Sequence, residues 1–225
     1  MSHGKQFTLY SHVFGTNGWK VAFVLNELGL TYETIYLDFN NKEQKAPGHV
    51  KYNPNGRIPT LIDHGNNDLV VWESNAIIIY LVEKYDTSRK ISAASENERI
   101  TQLQWLFFQA SGQGPYFGQA GWFKLFHHEK LPSALERYQK EIIRVLGVLE
   151  SVLTKQEWLV SGKYTIADLS FVVWNNMAVK LFVADFNGFN FEKDFPAVYK
   201  WHNAILSREA VAKALAVREA LLASD

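Results

Sequence analysis

Three short polar clusters in the first third of the chain have residue types that could hold a small charged ligand. The first is Asn17, which follows an apolar strand-like run and opens a helical pattern. A helix N-terminus with unpaired N–H groups favours an anion, a thiolate included. By residue type alone, plain capping is the simpler role for an Asn there. Ser11, at the end of the same run, is a rival donor or an ordinary turn serine. The second cluster is Asn55-Gly56-Arg57-Ile58-Pro59. A cis Ile58–Pro59 bond would turn the Ile58 backbone outward to pair with an extended peptide, although trans is the ordinary state. The third is Trp72-Glu73-Ser74-Asn75. Glu73 suits an ammonium, and the Ser74 hydroxyl with free helix N–H groups suits a carboxylate; capping is again the simpler role.

Other chemistries find less support. Gly112-Gln113-Gly114-Pro115-Tyr116-Phe117-Gly118 resembles a dinucleotide fingerprint with one residue too many, and it follows a helical pattern, which favours a helix kink. Gly162-Lys163 lacks the preceding Gly and following Ser or Thr of a phosphate loop. The neighbours His127 and His128 point about 100° apart on a helix and cannot share one metal. Glu136 and Glu141 lack an apolar pocket for paired-carboxylate hydrolysis, and no Gly-x-Ser-x-Gly elbow occurs.

The elements that must position these clusters differ between the two halves of the 225 residues. Phe7–Tyr10 reads as a strand, Asn17 to Leu28 as a helix closed by Gly29, and Thr31–Leu37 as a second strand. After a polar loop, Thr60–Asp63 and Leu69–Trp72 form a hairpin around His64–Asp68, and Ser74 caps a helix through Tyr85. That helix is apolar nearly all round at Ala76–Val82, which predicts burial on both sides. The order is β-α-β, a linking segment, then β-β-α. Beyond a polar boundary at Asp86–Ala94, helices are predicted over Glu96–Gln109 and onward, Ser133–Leu153, Ile166–Ala178, Pro196–Leu206 and Glu209–Ala223. Thr165-Ile166-Ala167-Asp168 is a capping box with Asp in place of the usual Glu. An α/β domain over 1–87 and an all-helical domain over 95–225 are expected.

Composition narrows the classes further. Lys+Arg and Asp+Glu are both 23, without the basic excess that displaces counterions from nucleic acid. With zero cysteines, disulfides, thiolate-ligated zinc and a catalytic cysteine of the chain's own are excluded. Met1 to Gln6 is too short and polar for a signal peptide, and no apolar run approaches a membrane span of about 20 residues. These features predict a soluble, cytoplasmic protein with no membrane partner.

Asn53-Pro54-Asn55-Gly56-Arg57-Ile58-Pro59-Thr60-Leu61, Trp72-Glu73-Ser74-Asn75-Ala76-Ile77 and Thr165-Ile166-Ala167-Asp168 resemble the pattern of the glutathione transferase superfamily across nearly the whole chain. Leu9-Tyr10-Ser11-His12, Thr16-Asn17-Gly18-Trp19-Lys20-Val21, Leu37-Asp38-Phe39-Asn40 and Trp105-Leu106-Phe107-Phe108-Gln109 are similar to its fungal branch around the yeast nitrogen-catabolite regulator. Bacterial relatives of that branch include glutathione-dependent disulfide-bond oxidoreductases. The resemblance implies a thioredoxin-like first domain, an all-helical second one, a homodimer, and glutathione as co-substrate with no metal.

It also implies roles for particular residues. Pro59 is the cis-proline, and the Ile58 backbone pairs with the cysteinyl part of glutathione. Glu73 and Ser74 hold the γ-glutamyl end, Arg57 and Gln44 lie toward the glycine end, and Asn17 is nearest the sulfur. Arg137 is a further candidate, reaching over from the helical half. Tyr116, Phe117, Trp122, Phe123 and Phe126, in the stretch expected to face the first domain, supply an apolar co-substrate platform or ordinary core packing. Two departures matter. Only a few residues precede strand one, so the yeast regulator's Asn/Gln-rich extension is expected to be absent, which favours the enzyme role; and the first loop has no obvious catalytic Tyr, since Tyr10 lies within the strand.

Without a cysteine, thiol chemistry needs a borrowed thiol, and a free thiol titrating near pH 8.5 is mostly protonated at neutrality. A neutral donor to its thiolate is worth roughly 1.5–3 kcal/mol, or about one to two pKa units. The expected function is activation of the glutathione thiolate, for conjugation to electrophiles or reduction of disulfides and peroxides. The alternatives are a non-catalytic carrier of glutathione or apolar ligands, and a regulatory protein that keeps the fold.

Overall fold

The computed structural model describes residues 4–160 and 162–224. They form two compact units, one running to Lys90 and resuming at Arg208, the other spanning Ile91–Ser207.

In the first unit, strands β1 (Phe7–Ser11), β2 (Tyr32–Tyr36), β3 (Thr60–Asp63) and β4 (Leu69–Trp72) form one sheet in the order β2-β1-β3-β4. β1 runs parallel to β2 and antiparallel to β3, and β3 pairs antiparallel with β4. Strand alternation puts Phe7, Leu9 and Ser11 on one face, level with Tyr32, Thr34 and Tyr36 of β2.

Helix α1 (Thr16–Glu27) covers that face, and its ends show what the side chains can and cannot do. Gly29 sits at φ +66°, where it donates to Asn26 O at 3.1 Å while Leu30 donates to Leu25 O at 2.9 Å. This is the Schellman closure expected for a glycine just past a helix end. At the other end the cap position is Gly15, with no side-chain capping bond. Asn17 is the second helical residue, so the capping role suggested by its residue type is not the one it has. Gly18 is needed for close approach, because a Cβ there would lie 1.9 Å from Ser11 Oγ.

A short helix α2 (Pro47–Val50) precedes the hairpin, and α3 (Ser74–Tyr85) follows it. Ser74 does not cap α3; it is the first helical residue, and Glu73 occupies the cap position without a side-chain bond. Burial on both sides of α3 is also corrected. Ile77, Ile78, Leu81 and Val82 form a single buried stripe, while Ala76 is exposed. The helix enclosed nearly all round is α1, packed against β1, α3 and the closing helix α10 (Glu209–Ser224).

That closing helix, expected in the helical domain, belongs to the first unit. Arg208 donates to both carboxylate oxygens of the buried Glu27, at 2.5 and 3.1 Å. Asn26 Nδ2 donates to Ala210 O at 3.1 Å, and Arg218 Nε to Val13 O at 3.3 Å.

The second unit contains α4 (Glu96–Phe108), α5 (Gly114–Gly121), α6 (Pro132–Leu153), α7 (Ile166–Met177), α8 (Phe191–Asp194) and α9 (Pro196–Leu206). The glycine-rich stretch after α4 is a helix distortion: Gln109–Gln113 is π-helical and leads directly into α5. Gln113 bridges it to α7, donating to Phe171 O at 3.1 Å and Asn175 Oδ1 at 2.8 Å.

The Thr165 capping box forms at the start of α7. Asp168 accepts from Thr165 N at 2.9 Å, Leu159 N at 2.8 Å and Trp201 Nε1 at 2.9 Å. Burial pushes its carboxyl up to about 6, against the lowering pull of these donors.

Candidate active site

Contacts within the first unit bring the three polar clusters to the loops at one end of the sheet. A Cβ on Gly15 would lie 2.8 Å from Ile58 Cδ1, so the α1 N-terminus abuts the loop before β3. The Ile58–Pro59 bond is cis. Ile58 lies just outside the β3 ladder, which starts at Thr60 opposite Tyr10.

Buried His49 holds this loop from behind. Its ring nitrogens lie 3.0 Å from Gln44 O and 3.0 Å from Thr60 Oγ1. The Gln44 carbonyl accepts from Nδ1, so Nδ1 carries the proton and Nε2 accepts from the Thr60 hydroxyl. Asn53 Nδ2 donates to Thr60 Oγ1 at 3.0 Å and to Arg57 O at 2.8 Å. One network therefore fixes Gln44 and Arg57 side by side. Gly56, at φ +57°, completes the approach: a Cβ there would meet Gln44 O at 3.0 Å.

At the third cluster, Glu73 adopts φ +69° and ψ 112°, a conformation that costs a non-glycine residue about 1–3 kcal/mol unless its surroundings hold it. Beneath this turn lies Lys20, which is 2% exposed and donates from Nζ to Asn75 Oδ1 at 2.6 Å. Burial lowers its ammonium to about 7, opposed by the Glu73 carboxylate. Lys20 and His49 escaped attention in the sequence. Lys20 did leave a signal, as the lone charge in the otherwise apolar run Trp19–Leu25. His49 left none.

The side chains of Arg57, Glu73 and Ser74 make no hydrogen bond among the described residues, and buried Gln44 Oε1 has no hydrogen-bond partner there. A carboxylate, a hydroxyl beside a helix N-terminus and a guanidinium thus remain available to a ligand carrying both charges. Asn17, half-buried in the first turn of α1, is placed where the helix dipole favours an anion. Ser11 is not brought into this group. It is 2% exposed and lies under Gly18 on the α1-covered face of the sheet.

In the second unit, Tyr116, Trp122, Phe123 and Phe126 fall into one aromatic cluster. Phe123 stacks on Tyr138 at 5.7 Å, Tyr116 lies 6.4 Å from the same ring, and Trp122 lies 6.3 Å from Phe126. Trp122 and Phe126 are 50% and 69% exposed, whereas Phe117 is fully buried and belongs to the core. Arg137 is exposed on α6.

A four-stranded thioredoxin-like sheet with flanking helices, joined to an all-helical unit, defines the class. Residues 5–83 match the glutathione S-transferase N-terminal domain and residues 114–209 the glutathione S-transferase C-terminal domain. The chain belongs to the glutathione S-transferase family.

Its relatives include fungal transferases and Ure2-type proteins. Glutathione S-transferase 1 of Schizosaccharomyces pombe is 53% identical over 213 residues, covering 91% of this chain and 93% of that protein. The glutathione transferase URE2P6 of Phanerochaete chrysosporium, solved with oxidized glutathione, is 64% identical with a TM-score of 0.94, covering 97% and 99% of the two chains. Ure2p5 from the same organism, cocrystallized with 1-(S-glutathionyl)-2,4-dinitrobenzene, is 56% identical with a TM-score of 0.92, covering 99% and 98%.

Proposed function

We propose that the protein binds glutathione along Asn17, Gln44, Arg57, Ile58, Glu73 and Ser74, and activates its thiolate for attack on an electrophile, a disulfide or a peroxide. The observation that carries this is the set of uncommitted side chains around the Ile58 loop. Glutathione offers an ammonium and a carboxylate at one end and a carboxylate at the other, matching Glu73 with Ser74 and Arg57 with Gln44. The bound ligands of the two Phanerochaete relatives support the same assignment. Calorimetry with millimolar glutathione, followed by turnover of an aryl halide and of a mixed disulfide or hydroperoxide, tests it. No heat of binding overturns the proposal; binding without turnover favours a carrier.

Asn17 is assigned the thiolate, because side-chain amide, first-turn N–H groups and dipole act together there. Asn17→Ala is expected to raise the pKa of bound glutathione by about one to two units and lower activity near pH 7 roughly tenfold, with partial recovery at higher pH. Ser11→Ala is expected to cost much less. A pH–rate profile that moves for Ser11→Ala and not for Asn17→Ala would reverse the assignment.

The exposed aromatic cluster around Trp122 is proposed to take a flat, apolar co-substrate. Trp122→Ala should weaken inhibition by aromatic compounds while thermal unfolding stays unchanged. A homodimer and a cytoplasmic location complete the proposal, and light scattering of the purified protein checks the first.

A further inference from the structure

Helix α1 buries every residue from Gly18 to Leu25, and one of them carries a charge: Lys20, 2% exposed. Packing alone does not require a cation there, because replacing a buried ion by a well-packed apolar side chain is often neutral or stabilising. Buried ionisable groups with a specific charge partner cluster instead at functional sites.

The partners of Lys20 lie on one turn. Its Nζ donates to Asn75 Oδ1 at 2.6 Å, and the carboxylate of the exposed Glu73 acts on the same ammonium. Asn75 is the second residue of α3, and Glu73 alone joins that helix to β4, which ends at Trp72. Glu73 makes the connection at φ +69° without a side-chain capping bond. Conformations of this kind persist only where the surroundings hold them. The bond from Lys20 to Asn75 is such a hold, made from the buried side of the turn, and it leaves the Glu73 and Ser74 side chains uncommitted.

We propose that Lys20 is a positioning residue for the γ-glutamyl end of glutathione: through Asn75 it fixes the Glu73–Ser74 turn in the shape that receives the ammonium and the carboxylate. The inference rests on the glutathione reading above and adds to it a residue that does not touch the ligand. Because the bond runs to α3, its loss is expected to appear in binding and not in the chemical step.

Calorimetry of the full chain with S-hexylglutathione and with S-hexylcysteinylglycine, which lacks the γ-glutamyl group, tests this. Lys20→Met should weaken S-hexylglutathione about tenfold or more, the scale of a lost charge-assisted hydrogen bond, and leave the truncated ligand within about twofold of wild type. Asn75→Leu should do the same, and the double variant should lose no more than either single one, because both changes remove one bond. In turnover, Lys20→Met should raise the KM for glutathione and leave kcat unchanged. Equal weakening of both ligands, tighter binding of S-hexylglutathione, additive losses, or a loss confined to kcat would each overturn the role. Where Lys20→Met does not fold, the same comparison of ligands on Asn75→Leu decides. A wild type that binds neither ligand overturns the glutathione reading as well, whereas wild-type binding with indifference to Lys20→Met overturns this inference alone.

Discussion

Asp168→Ala should lower the melting temperature by about 10 °C or more. The carboxylate satisfies the N–H groups of Leu159 and Thr165 and the indole of Trp201, all buried. Each donor left without a partner costs about 1–3 kcal/mol, and at this chain length each kcal/mol is worth roughly 2–4 °C. Asp168→Asn keeps an acceptor and should recover part of the loss. The wild-type carboxyl adds a pH signature. Its folded value, about 6, lies above the ordinary 3.8, so the native state holds a proton that the unfolded chain has lost. Stability from this group is complete below pH 4 and declines as pH rises through 6, by roughly 3 kcal/mol. Denaturant titrations of wild type and Asp168→Asn between pH 4 and 7 measure the slope. Parallel curves would show that Asp168 does not titrate in this way.

Lys20 should give the opposite slope at higher pH. Its ammonium falls from 10.5 to about 7 on folding, so above pH 7 the unfolded chain binds the extra proton. Stability then rises with pH until the unfolded lysine also loses its charge, a gain of order 5 kcal/mol. Lys20→Met removes both the titration and the bond to Asn75. Relative to wild type, the variant should look most favourable near pH 6 and progressively worse toward pH 10. A difference that stays flat over that range would mean that Lys20 is charged in both states or neutral in both.

Much of the first unit was legible because local chemistry and tertiary structure agree there. Gly29 stops α1 by a positive φ that other residues resist, and in the second unit Thr165 with Asp168 likewise caps α7 as a capping box should. Legibility failed where a residue occupies a position its type disfavours. Ser74 suggests a cap, yet the chain places Glu73 there, at a φ that sequence preference would not assign to it. Asn17 likewise suggests a cap, but Gly15 takes that position and leaves the amide inside the first turn. Among the candidate ligand residues, charge and hydroxyl were readable from motif and resemblance. The parts that hold them were not: His49 reaches Thr60 across 11 residues, and Lys20 reaches Asn75 across 55. Such pairings depend on topology, which no local pattern encodes.

The return of α10 to the first unit has a consequence for how the chain is made. During synthesis from the N-terminus, the sheet and α1 emerge complete, but the helix that covers α1 is encoded only after Ile91–Ser207. At about 5–20 residues per second, the outer side of α1 waits on the order of ten seconds for its cover. Throughout that interval the ribosome-bound intermediate presents the outer side of α1 at Trp19 without Ala214 of α10 beside it. The nascent protein is therefore most vulnerable to premature association late in translation, when most of its residues have already been added.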